Sequence, residues 1–87
     1  NMPREKYLSI KALLYNLTTK DQEGVLLRAQ ESYGYPQVTV PELLMHLKCL
    51  LIYWKQFLSP GKYTKLEGLL KTAEEISERT TGNNSNS

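Results

Sequence analysis

Between Leu43 and Leu58 the chain is apolar at nearly every position that could face a core, and its start is marked by Thr39-Val-Pro-Glu42. The threonine and the glutamate three residues on are in capping-box register, and Pro41 falls in the first turn, where its missing N–H is not needed. Leu43, Leu47, Leu50, Trp54 and Phe57 form one helical stripe. Leu44, Leu51 and Leu58 extend it, while Met45, Ile52 and Tyr53 occupy other faces. A helix this apolar in a chain of 87 residues has to be the central member of a small bundle. Leu58-Ser59-Pro60-Gly61 then breaks it and starts another helix, with Ser59 as the cap.

Three further segments share the helical period. Tyr7, Ile10, Leu14 and Leu17 recur at three- and four-residue spacing, Leu13 widens the stripe, and Leu8 and Tyr15 lie on its flank, in reach of a second neighbour. Thr18 or Thr19 is expected to cap the next helix, with Asp21 or Gln22 in capping-box register. That helix carries Val25, Leu26, Ala29 and Tyr33 and should stop at Gly34, before Tyr35-Pro36. The last has Tyr63, Leu66, Leu69, Leu70, Ala73 and Ile76 on its apolar face. Across from these, Glu67 with Lys71 and Glu75 with Arg79 are spaced for exposed ion pairs. The expected helices are residues 4–17, 20–33, 40–57 and 60–80, in one domain over 3–82, with Gly82 as a stop and 83–87 a disordered polar tail. Short connections make the fold an all-α, antiparallel, up-and-down four-helix bundle.

Charge and cysteine content narrow the function classes. A net charge of +2 is too weak to hold a duplex by phosphate neutralisation. The single Cys49 forms no intramolecular disulfide and fits a reducing cytoplasm. No apolar run or cleavage signature follows Met2-Pro-Arg-Glu-Lys6, so no secretory leader is expected. The greasiest stretch contains His46, Lys48, Lys55 and Gln56 and falls short of a spanning helix, which needs about 20 apolar residues.

Chemistry is hard to place on this chain. His46 and Cys49, three apart on a helix, make only half of a structural zinc site. As a nucleophile dyad they lack an oxyanion element, and a half-buried histidine beside a packed thiol is the plain reading. Glu74 and Glu75 point about 100° apart on a solvated face. There is no glycine-rich phosphate loop. The expectation is a binding protein with no catalysis, cofactor, metal or small-molecule substrate. The six tyrosines and Trp54 should mostly edge the core with their polar atoms in water, while Tyr35, Tyr53 or Trp54 could serve docking. Lys48 and Lys55, seven apart, share a face beside Ile52 and Tyr53.

A resemblance enters with Pro41-Glu-Leu-Leu-Met-His-Leu-Lys48 leading into Leu50-Leu-Ile-Tyr-Trp54. It continues through Phe57-Leu-Ser-Pro60 into Tyr63-Thr-Lys-Leu66, Leu69-Leu70 and Ala73-Glu-Glu-Ile76. This hairpin resembles the immunity proteins of pediocin-like (class IIa) bacteriocins, in particular the enterocin A immunity group. The first half matches in length and pattern only, and the residues after Gly82 lack the aromatic tail of many relatives. The resemblance implies a cytoplasmic four-helix bundle that protects a cell from a pore-forming peptide. Its implied partner is the bacteriocin bound to the membrane part of the mannose phosphotransferase permease, met from the inner face, with specificity in the C-terminal half. On that reading Tyr53, Lys55, Lys62, Lys65 and Arg79 are the contact candidates, with a monomer or weak dimer as the working form. The alternative is a small helical nucleic-acid-binding or regulatory adaptor, for which the third helix is too apolar and the fourth too acidic. A bundle that dimerises through the third helix is a further alternative.

Overall fold

The computed structural model describes residues 3–34 and 37–85, with backbone alone at 33 and 81–85. The described residues form helices α1 (Arg4–Thr19), α2 (Gln22–Tyr33), α3 (Val40–Trp54) and α4 (Pro60–Ser85), with one turn of 3-10 helix at Lys55–Phe57 between the last two. The links at Lys20-Asp21 and Leu58-Ser59 are too short for anything but antiparallel neighbours. α1 packs on α2 and α4, and α3 on α2 and α4, so the four helices close into a bundle. This is the all-α four-helix architecture that the periodicity predicts, but not in up-and-down order: Lys62 lies over Tyr7 and Gln22 bonds both Leu17 and Ala73, so α1 and α4 run parallel, and the longer link after Gly34 lets α3 start at the same end as α2.

The core is assembled from the predicted stripes. Leu14 and Leu17 of α1, Leu43 of α3 and Leu66 of α4 are the largest side chains shut off completely from solvent. Burial of one such side chain contributes roughly 1.5–3 kcal/mol. Around them lie Tyr7, Ile10, Leu13, Leu26, Ala29, Val40, Leu44, Leu47, Leu51, Trp54, Leu70 and Ala73. Val25, Leu50, Leu58, Tyr63 and Leu69 are partly buried against this cluster. Leu8 and Tyr15, at 45% and 56% exposed, touch no second neighbour deeply enough to be covered. Tyr33 as a core side chain and Tyr35 as a docking residue lie outside what the structure describes.

Helix ends correct the sequence reading at three places. Asp21, not Thr18 or Thr19, caps α2, its carboxylate accepting from the Gly24 N–H at 3.1 Å. The two threonines instead donate their hydroxyls to the Tyr15 carbonyl, at 2.6 and 3.2 Å, as α1 runs on to Thr19. Hydroxyls that can bond back into the preceding turn extend that helix rather than open the next. At the end of α3 the ladder tightens into the 3-10 turn, so Phe57 leaves the stripe and is 39% exposed. α4 continues past Gly82 to Ser85. Glycine permits a left-handed stop without imposing one, and Gly34, with φ of 69°, is where the chain uses it. The expected polar tail is therefore helical as far as Ser85, and Asn86 and Ser87 lie outside the described residues.

Two predicted features stand as drawn. Thr39 and Glu42 form the reciprocal capping box, with the Thr39 N–H donating to Glu42 Oε1 at 3.0 Å and the Glu42 N–H donating to Thr39 Oγ1 at 3.4 Å. Ser59 precedes α4, its carbonyl accepting from the Tyr63 N–H at 3.0 Å. At the other end of the molecule Gln22 donates its amide to the Leu17 and Ala73 carbonyls, both at 3.0 Å. One side chain there ties together the end of α1, the start of α2 and the later turns of α4.

Candidate functional site

α1 and α4 run parallel, with Lys62 over Tyr7 near their starts and Gln22 bonding both Leu17 and Ala73 further along, so the start of α1 lies beside the α3–α4 turn at one end of the bundle. Three lysines bind that end together through aromatic rings. Lys6 Nζ lies 5.3 Å from the Trp54 ring centroid, Lys55 Nζ 5.3 Å from that of Tyr63, and Lys62 Nζ 5.1 Å from that of Tyr7. Each contact joins two different elements. Trp54 and Tyr7 are buried core-edge rings, whereas all three lysines are exposed. The lysine stems thus run along the rim of the core while the ammonium groups stay in water. An exposed cation–π contact contributes about 0.5–1 kcal/mol.

Arg4 and Lys65 are exposed at the same end. Five cations, contributed by three helical segments, stand there with Glu5 as the nearest acidic residue in sequence. Beside them Tyr53 and Phe57 form an edge-to-face pair with ring centroids 5.5 Å apart and planes at 61°. Tyr53 is 59% exposed, so this pair gives the basic end an aromatic rim.

Of the predicted contact residues, Tyr53, Lys55, Lys62 and Lys65 therefore share one region. Arg79 does not. It lies 17 residues beyond Lys62 on α4, about 25 Å away at 1.5 Å per residue, in a surface depression with Glu75 and Glu78. Arg4 and Lys6 belong to the region although the sequence reading did not single them out. Their membership follows from topology, because α1 runs parallel to α4 and so starts beside the α3–α4 turn.

The outward face of α3 is apolar: Met45, Ile52 and Tyr53 are each about three-fifths exposed, and His46 and Cys49 lie out in solvent among them. The half-buried histidine and packed thiol expected from sequence are thus both on the surface, because they point away from the Leu43, Leu47 and Trp54 stripe. Among the described residues no group of three or more His, Cys, Asp or Glu could hold a metal ion. A larger space of about 470 Å³ at Glu75, Glu78 and Arg79 is an open depression on α4 alone, and among the described residues clefts between helices are small. One of about 230 Å³ is lined by Gln22, Val40, Ile76 and their neighbours, and another of about 190 Å³ lies between Lys48 and Ile52 of α3 and Glu67 and Lys71 of α4. Drug-sized ligands usually occupy about 300–1,000 Å³. In the second cleft Glu67 accepts from the Tyr63 hydroxyl at 3.5 Å, where the sequence pairs it with Lys71.

The opposite end carries the other sign. Asp21 and Glu23 begin α2, Glu42 begins α3, and Glu74, Glu75 and Glu78 occupy the later turns of α4, against Lys20 and Arg79. The Thr39 backbone N–H, with help from its hydroxyl, holds the Glu42 carboxyl below its ordinary value of 4.5. Among the described residues no helix is long and apolar enough to cross a membrane.

No family model, no curated protein and no solved structure matches the chain. A positively charged, aromatic-rimmed end suits recognition by contact.

Proposed function

We propose that this protein is an immunity protein of the pediocin-like bacteriocin type. It acts in the cytoplasm by binding the bacteriocin–receptor complex of the mannose phosphotransferase permease from the inner membrane face, without chemistry, cofactor or small-molecule substrate. The observation that carries the reading is the end of the α3–α4 hairpin, where exposed Tyr53 and Phe57 stand beside Lys55, Lys62 and Lys65. That hairpin is also the segment on which the sequence resemblance rests. The cations would meet acidic or carbonyl-rich groups, and the aromatic pair would supply the apolar anchor that interfaces favour.

The nucleic-acid alternative has weaker support. Five cations spread over three helix ends do not make a recognition helix with basic residues along one face.

The test is survival of a sensitive strain that expresses this chain and is challenged with a panel of pediocin-like bacteriocins. Protection is expected against one or a few, and Tyr53→Ser with Lys65→Glu should remove it while leaving the bundle folded. Lys62 is a poor choice for this purpose, since its ammonium also joins α4 to Tyr7 of α1. Full protection by the double variant would end the assignment of this surface. No protection across a broad panel by folded, abundant protein would end the immunity reading.

A further inference from the structure

We infer that the basic end is a docking surface for an anionic phospholipid bilayer, which the molecule meets end-on with its helices standing away from the membrane plane. The first argument is electrostatic. Arg4, Lys6, Lys55, Lys62 and Lys65 lie at one end with Glu5, and Asp21, Glu23, Glu42, Glu74, Glu75 and Glu78 at the other with Lys20 and Arg79. A chain of net charge +2 is in this way strongly polarised along its length. In the field of an anionic surface such a molecule is turned before it lands, basic end first.

The second argument is that helix dipoles do not explain this layout. Arg4 and Lys6 flank Glu5 in the first turn of α1, and Lys62 is in the first turn of α4, which contains no acidic residue. Cations there oppose the positive end of the helix dipole. The last turn of α4 contains no basic residue to offset its negative end. Ring contacts offset that cost for Lys6 and Lys62, but Arg4 makes none, so its placement answers to something outside the chain.

The third argument is the shape and composition of the end. Among the described residues, well-formed clefts lie along the sides and at the acidic end, whereas a bound peptide usually needs a groove or a free sheet edge. The basic end offers instead outward ammonium groups on stems laid across Trp54, Tyr7 and Tyr63, with Tyr53 and Phe57 at the rim. Lysines with amphipathic aromatic rings beside them suit the headgroup layer of a bilayer. This inference does not depend on the immunity reading, because purified protein and lipid suffice to test it.

The experiment is co-sedimentation of the full chain with vesicles of phosphatidylcholine alone and of phosphatidylcholine containing about one-third phosphatidylglycerol, a composition that makes the surface anionic. Trp54 emission follows binding in parallel. Binding is expected to the anionic vesicles only, and to vanish at about 0.5 M salt, where the Debye length is a few ångströms. Each basic residue at such a surface contributes roughly fivefold to partitioning. Arg4→Glu with Lys65→Glu, neither of which holds a ring contact, should therefore weaken it by at least about 25-fold with the thermal transition undiminished.

Glu75→Gln with Glu78→Gln raises the net charge by two at the far end and should leave binding almost unchanged. An equal gain from that variant would mean attraction by net charge, without orientation, and would overturn the proposal. So would failure to bind anionic vesicles at low salt, or binding to soluble polyglutamate as tight as to vesicles, which would give the surface to an acidic protein segment.

Discussion

At the residue scale, much of the specificity of the fold comes from polar side chains that reach across elements. Gln22 donates to two carbonyls belonging to α1 and α4, and each such bond contributes about 0.5–1.5 kcal/mol. Gln22→Ala should lower stability by about 1–3 kcal/mol. Gln22→Glu should cost more, because a carboxylate facing two carbonyls has no proton to donate. Urea unfolding checks both as a fall in midpoint at constant slope. An unchanged midpoint for both would mean that Gln22 contributes nothing. In the core, Leu66→Ala should cost about 2–5 kcal/mol, since a fully buried leucine leaves a cavity in a bundle with little slack. Leu66 was legible from its spacing with Leu69, Leu70 and Ala73. Gln22 was not, because its partners are 5 and 51 residues away and no local pattern reports the second.

At the scale of the element, a helix start with a complete capping box is written in the chain more plainly than a helix end. Thr39-x-x-Glu42 specifies both hydrogen bonds of its capping box, and the structure contains both. Thr39→Ala should destabilise α3 by about 1 kcal/mol. The same box gives the molecule a pH dependence whose sign is fixed. The Glu42 carboxyl is depressed in the folded state by the Thr39 N–H and hydroxyl. Its contribution is then complete above the ordinary carboxyl value of 4.5 and is lost as pH falls through the lower folded value. Amide exchange at the start of α3 should accelerate through that acid window in the native chain and show no such step in Thr39→Ala. Identical profiles would remove the box from the account. Ends behave otherwise. Gly34 does stop α2 and Gly82 does not stop α4, because a glycine tolerates both backbone states and the surroundings choose. The 3-10 turn at Lys55–Phe57 likewise has no local signature, yet it decides that Phe57 faces solvent.

At the scale of the whole molecule, what the sequence conceals is how charges are distributed in space. A net charge of +2 and interspersed lysines read as an ordinary solvated surface, and four of the five predicted contact residues came from the hairpin alone. Only the fold, with α1 parallel to α4, adds Arg4 and Lys6 to that end, while the length of α4 carries Arg79 to the other. The same arrangement turns stability and binding into opposed demands. If the cations at the helix starts serve an external anionic partner, their removal should relieve the bundle while it disables the surface. Arg4 is the cleanest position, in the first turn of α1 with its side chain exposed. Arg4→Glu replaces a cation with an anion at the positive end of the helix and should raise stability by about 0.3–1 kcal/mol at low ionic strength. High salt should erase most of that gain. Thermal unfolding of the native chain and the variant, at low and high salt, measures it directly. A stability gain that coincides with lost vesicle binding is the signature of a residue kept for recognition. If Arg4→Glu instead destabilises the bundle, Arg4 has a structural role, and the argument that folding alone does not place a cation there fails.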